Sequence, residues 1–292
     1  MSDIIQTEGE RRIIPIADAR KVLSVRASSW GELFDCSYRW EGTHLLGMRK
    51  PAGLRAQLGT ALHASTATFD KGRLPGGTPI SPSEAAEVFV DALKNPEQEV
   101  DYAQDKLDRR EAEAIGLKLN RDYCVDVSPR FKFKSVEQKL APVDIDCGSG
   151  VYVRLTGTMD RARVAQTTGG IVIPDVKSGA RVISDGQAVT KGRAPQVGTY
   201  QLLYEQSEQL NTIGGQIIAL HTSTKPSTAV SPVFDAKRVM LGIAETRDAP
   251  GVPGLIEHAA AMFRTGLFPP NPQSILCSDR YCARWDKCVF HE

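Results

Sequence analysis

The chain has 292 residues, 41% of them hydrophobic and 24% charged, with 36 basic against 35 acidic side chains and a net charge of +1. That length buries a substantial core, and that balance excludes a global field drawing in nucleic acid or an anionic membrane, so any polyanion site has to be a local patch. No apolar run approaches the roughly 18 residues of a membrane span, and MSDIIQTEGERR carries acids where a secretory signal needs an apolar segment, so a cytosolic protein is expected.

Residues 1–25 read as an arm or an edge segment. A helical stretch starts near Ser28–Ser29, which supply an N-cap, and runs through WGELFDCSYRWEGTHLL. Residues 54–71 form a second helix, and KGRLPGGTPISPS is a loop by its Gly, Pro and Ser content. Ser81, Pro82 and Glu84 then make a capping box with proline at the first helical position, and charged helical sequence fills most of 84–127. From Phe131 the character changes. FKFKSVEQKL, VYVRLTGTMDRARV and GGIVIPDVKS are enriched in β-branched and aromatic residues and read as strands. A helix follows at 194–210, strands at 215–223 and VSPVF, and helices at 236–247 and 253–265. No repeat or linker separates two cores. The expected architecture is a single α/β domain over 26–292: a helical lobe (26–128), a mixed central sheet with its helix (129–235), and C-terminal helices with a cysteine-bearing tail (236–292).

The chemistry concentrates where IVIPDVKS ends. If the turn Thr167–Gly170 is symmetric about 168/169, Asp160 faces Lys177 and Ala162 faces Asp175. Alternation then puts Asp160, Asp175 and Lys177 on one face at one end of a hairpin. Two neighbouring carboxylates stay ionised cheaply only with a cation between them, and a hard ion such as Mg²⁺ or Mn²⁺ suits oxygen ligands. Lys177 beside them can orient or deprotonate a water, or stabilise charge on a phosphate. On the residues alone, Asp-x-Lys at a strand end is also an ordinary solvated ion pair, and His63, Gln196 and Tyr200 are also ordinary helix residues.

Taken together, Asp160 of GTMDRARV, Asp175 and Lys177 of IPDVKS, Gln196 and Tyr200 of PQVGTYQLL, and His63 of LGTALHAST resemble the PD-(D/E)XK nuclease superfamily. The similarity is to its RecB-like exonuclease branch, which includes CRISPR-associated exonucleases, the AddB nuclease domain and phage enzymes. The resemblance spans about 26–290, with Asp175 where many relatives have glutamate. It implies a restriction-endonuclease-like core and a metal held by His63, Asp160, Asp175 and the Val176 carbonyl. Gly59, one turn before His63, would let a neighbouring backbone approach. Glu137 of SVEQKL would near the metal, unless it is a plain surface strand residue, and Gln196 and Tyr200 would steer a DNA phosphate or support Lys177.

Cys277, Cys282 and Cys288 place three soft ligands within twelve residues, suiting zinc or an iron–sulfur cluster once a fourth ligand is supplied. The resemblance puts that ligand far upstream, at Cys36 of FDCSYRW, and implies a [4Fe–4S] staple, with zinc as the alternative; the spacing from Cys277 to Cys282 is wider than in many relatives. His291 is a possible substitute ligand, and Cys124 and Cys147 read as unliganded. A local path for DNA would use Arg49, Lys50, Arg55, Arg161, Arg163, Arg181, Lys191 and Arg193. Trp30, Tyr38 and Trp40 either stack on bases or pack the lobe and shield the cluster.

The expected function is a metal-dependent DNA exonuclease acting on single strands or DNA ends. The setting would be recombination, repair or CRISPR-type processing in the cytoplasm of a bacterial or phage-infected cell. The alternative is a non-catalytic DNA-end-binding or recombination-partner module. A zinc-stapled endonuclease is a third reading. No phosphate-binding GxxxxGK[ST] loop is present, so the chain is not expected to unwind DNA with ATP by itself, and a helicase, annealing protein or CRISPR component is a possible partner.

Overall fold

The computed structural model describes residues 21–291. A first strand, β1 (Lys21–Arg26), opens the described chain and leads into α1 (Trp30–Asp35) and α2 (Ser37–His44). What the sequence suggests as one helix is therefore two, broken where Cys36 adopts an extended conformation (φ −145°, ψ 95°). Of the segment expected as an arm, residues 1–20 lie outside the described part, whereas β1 is an edge strand. The lobe continues with α3 (Leu54–Gly72), α4 (Pro82–Lys94) and α5 (Arg109–Asp122). The reciprocal Ser81–Glu84 capping box is formed, with Pro82 opening α4.

Then come β2 (Lys132–Lys139), β3 (Val143–Asp146), β4 (Val151–Thr156), β5 (Thr158–Val164) and β6 (Ile171–Gly179). After α6 (Ala194–Glu208) follow β7 (Thr212–His221), β8 (Ser227–Val230), α7 (Lys237–Leu241) and α8 (Leu255–Thr265). The stretch VYVRLTGTMDRARV is not one strand. Gly157 divides it, and its halves enter different sheets. The central five-stranded sheet has the order β8-β7-β6-β5-β2, with β7 and β6 parallel and the other neighbours antiparallel. A three-stranded sheet has the order β1-β4-β3. This is the mixed α/β, restriction-endonuclease-like architecture that the sequence leads one to expect.

The near-continuous apolar run of β6 reflects burial on both faces. Ile171 and Ile173, with Ile217 and Ala219 of β7, join the core under α6, α8 and the small sheet. Val176, with Ile218 and Leu220, joins the core under α3, α4 and α5. Trp30 and Trp40 are fully buried in the first of these cores, Trp40 against Phe263 and Phe268, so neither is offered to a base. Among the described residues no helix is long and apolar enough to cross a membrane.

The hairpin turns one residue earlier than predicted, about 167/168, which shifts the strand register by two. β5 and β6 pair Arg163 with Val172 and Val164 with Ile171, a register that continues to bring Asp160 opposite Asp175. A shift of two preserves the face of every side chain, which is why the clustering survives the change. The ladder stops short of Pro174, a residue with no N–H to give, in a central strand. The Asp160 carboxylate takes over there, accepting the Val176 amide at 2.9 Å.

Candidate active site

Four elements converge on the end of β5 and β6. The Asp175 carboxylate is fully buried, with Oδ2 2.7 Å from Lys177 Nζ and Oδ1 accepting from Gln196 Nε2 at 3.2 Å. Gln196 also stands 3.2 Å from the Tyr200 hydroxyl, one turn along α6. From the opposite side, α3 brings His63 Nδ1 to 3.5 Å from Asp160 Oδ2. The helix approaches closely because residue 59 is glycine: a Cβ there would sit 2.7 Å from the Ser178 hydroxyl. The close neighbour is thus a side chain of β6 rather than the backbone that the sequence suggests.

His63, Glu137 and Asp160 each offer a ligand atom, all within 4.8 Å of one another. Glu137 reaches this position through a backbone φ of +49°, a left-handed conformation rarely adopted by a side-chain-bearing residue in a strand. Nothing in the local sequence signals it. Asp175 is not part of that close triad, since its carboxylate turns to Lys177 and Gln196.

The electrostatics are those of a cation site. Burial pushes the His63 imidazole down, with Asp160 opposing and Lys177 and Arg161 adding to the effect, which favours the neutral ring with its lone pair. Burial and the charge of Asp160 push Glu137 up against Arg161. Burial likewise lifts Asp175 to about 6, with Asp160 adding and Lys177 resisting. Asp175 Oδ2 is enclosed and accepts no hydrogen bond of good geometry, although Lys177 is close in space. One imidazole nitrogen and several carboxylate oxygens, one of them unsatisfied, fit a hard divalent ion.

A buried network stands behind the site. Arg161, expected at a DNA surface, is fully enclosed instead. Its Nε donates to Asp70 Oδ2 at 2.7 Å, and its Nη1 to Glu137 Oε1 at 3.2 Å and the Asp160 carbonyl at 2.9 Å. Tyr123 and Ser128 also donate to Asp70. An arginine in a strand rich in charge looks like surface from the sequence, and only Asp70 on α3 explains its burial. Among the other basic positions, Arg163 donates to Gln216 at 2.8 Å and lies over the Phe131 ring. Arg181 and Lys191 are exposed, and the charge of Arg193, at the start of α6, reaches Asp175. Arg49, Lys50 and Arg55 are exposed beside the C-terminal tail; Arg55 shares Asp105 with Arg280, and Arg49 and Lys50 donate to the carbonyls of Thr43 and Asp279.

Cys36, Cys277, Cys282 and Cys288 line one small cavity with Tyr38, Arg39 and Trp285. The tail is tied to α1 and α2: Asn271 donates to the Asp35 carbonyl at 2.9 Å, Arg284 pairs with Glu41, and the Arg284 guanidinium lies 4.0 Å over the Tyr38 ring. Burial and then the charges of the other three cysteines push the Cys277 thiol up. His291 instead stacks on Trp285, while Cys124 and Cys147 are buried elsewhere.

A mixed sheet whose central strand ends in a buried acid and an amine, joined by a second acid and a helix glutamine, is the layout of a phosphodiester-cleaving nuclease. Residues 27–289 match the family model of the PD-(D/E)XK nuclease superfamily, and the chain belongs to that superfamily. No curated protein matches it closely enough to be named as a relative.

Proposed function

We propose that this protein is a Mg²⁺- or Mn²⁺-dependent DNA exonuclease acting on single strands or DNA ends. The observation that carries the reading is the meeting of His63, Glu137 and Asp160 beside the buried Asp175–Lys177 pair. His63, Asp160 and Asp175, with the backbone of Val176, would hold the metal, and Glu137 stands close enough to join them. When bound, that ion polarises a phosphate oxygen and lowers the pKa of a water.

The protein's own groups do the rest. Lys177, half-shielded beside Asp175, presents an ammonium where charge grows on the phosphate or where the attacking water loses its proton. Gln196 fixes the Asp175 carboxylate and the Tyr200 hydroxyl together, so that both face the substrate with settled orientations. Action at ends rather than within a strand, and a place in recombination, repair or CRISPR-type processing with a helicase, annealing or CRISPR partner, follow from the RecB-like motif order.

The four thiols would hold a [4Fe–4S] cluster that staples the two ends of one nuclease domain, with zinc as the alternative. What supports a shared metal centre is that all four cysteines line one cavity.

The test uses end-labelled linear and circular DNA, single- and double-stranded, with Mn²⁺. Wild-type protein is expected to shorten linear single strands from an end and spare circles, and Asp175→Ala to cleave nothing. Cutting of circles would make it an endonuclease, and intact substrates throughout would overturn the reading.

A further inference from the structure

A cleft of about 470 Å³ opens beside the site, and its lining includes Arg26, Ser28, Lys139, Thr156, Thr158 and Tyr200. Among the described residues no carboxylate lines it. By contrast, Glu87 and Asp91 line the groove on α4, and Glu32 lines the cleft beside the tail. Arg26 and Lys139 are both exposed, and neither forms an ion pair among the described residues. In a protein of net charge +1, two cations without an ion pair among the described residues, lining one cleft with hydroxyls, make a local anion site.

The sheet fixes where that cleft lies relative to the chemistry. Lys139 and Thr158 are directly opposed in the β2–β5 ladder. Two residues further along each strand stand Glu137 and Asp160 of the metal triad, with the left-handed backbone of Glu137 interrupting the regular alternation. Two residues of antiparallel strand cover roughly 6.8 Å, about the separation of successive phosphates in an extended single strand. Tyr200 closes the gap between cleft and centre: its ring forms part of the cleft wall, and its hydroxyl lies 3.2 Å from the Gln196 nitrogen that holds Asp175. The ring can lie there because residue 157 is glycine, where a Cβ would come within 2.7 Å of it.

We propose that this cleft is the subsite for the single-stranded phosphodiester backbone next to the scissile phosphate. Lys139 binds the neighbouring phosphate, Arg26 the one beyond it, and Ser28 and Thr158 supply hydroxyl donors between them. The proposal rests on the nuclease reading and adds the path that the strand takes away from the metal.

The experiment measures binding of a fluorescent single-stranded oligonucleotide in Ca²⁺ against salt concentration, and cleavage separately in Mn²⁺. For single strands each neutralised phosphate contributes about 0.7 to the slope of log Kd against log salt. Arg26→Ala/Lys139→Ala is therefore expected to lower that slope by roughly 1.4, while the charge-matched Arg110→Ala/Arg121→Ala protein, whose two arginines are exposed on α5, keeps the wild-type slope. In the wild-type protein, one neutral methylphosphonate linkage next to the cut should reproduce the loss for Lys139, and adding it to Lys139→Ala should cost nothing further. Cleavage by wild type with an unchanged slope in the double variant, or additive losses, would overturn the subsite and leave the nuclease reading standing. Wild-type protein that neither binds nor cuts would overturn both.

Discussion

Arg161 Nε and Asp70 Oδ2 stand 2.7 Å apart, and neither side chain has any exposed surface. Asp70 belongs to α3, the helix that also carries His63, and Arg161 follows Asp160 in β5. The pair therefore couples the helical lobe to the strand that carries Asp160. Because the guanidinium also donates to Glu137 and to the Asp160 carbonyl, it ties down two residues of the candidate metal site. Asp70→Ala leaves this guanidinium buried without its counter-charge. The expected cost is about 3–5 kcal/mol in urea unfolding, much of it regained in an apolar Asp70→Leu/Arg161→Met double variant. A single-variant cost below about 1 kcal/mol would show that the network is not what holds the two elements together.

Asp175 gives the protein a pH signature. Burial holds its carboxyl at about 6, so the folded state binds this proton more tightly than the unfolded chain does. That contribution to stability is complete below pH ~4 and is lost as pH rises through about 6. EDTA-treated protein is expected to lose up to about 3 kcal/mol across this window, and Asp175→Asn to flatten the slope. Mn²⁺ should restore the loss, raising Tm more at pH 8 than at pH 5, because a bound ion requires the ionised carboxylate. A metal-induced rise independent of pH would exclude Asp175 as a ligand.

Lys177 is expected to act on the reaction more than on the metal. Lys177→Ala should lower kcat by roughly 10²–10³-fold while the Mn²⁺-induced rise in Tm is retained. Loss of both together would assign the lysine to holding the Asp175 carboxylate instead.

The cysteine quartet is checked by colour and by stability. Protein purified without oxygen should be brown, absorb near ~400 nm and contain iron and acid-labile sulfide in equal amounts; zinc would leave it colourless. Cys36→Ser should remove the absorbance and cost about 3–5 kcal/mol, the loss expected if the proposed cluster ties together distant parts of the chain.

How far the sequence reaches is clearest at β6. Its apolar run, the acid and amine that end it, and the following Gln–Tyr helix follow from residues a few positions apart, as does the Ser81 cap on α4. Such features depend on alternation, helical spacing and local hydrogen bonds, which neighbouring residues determine between themselves. The hairpin register needed more. A turn about 168/169 is the simplest reading of TTGG, and the folded hairpin turns one residue earlier.

What only the tertiary structure decided lies at long range. Arg161 finds Asp70 across 91 positions, and the burial of that charge turns an apparent DNA contact into an internal support. The left-handed backbone of Glu137, the break at Cys36 and the cleft between Arg26 and Lys139 likewise come from elements brought together by folding. Residue identities determined which groups were available and their order along the chain. Which of them meet was decided by the burial of two cores on opposite faces of one sheet, because only that packing repays the entropy of closing such long loops.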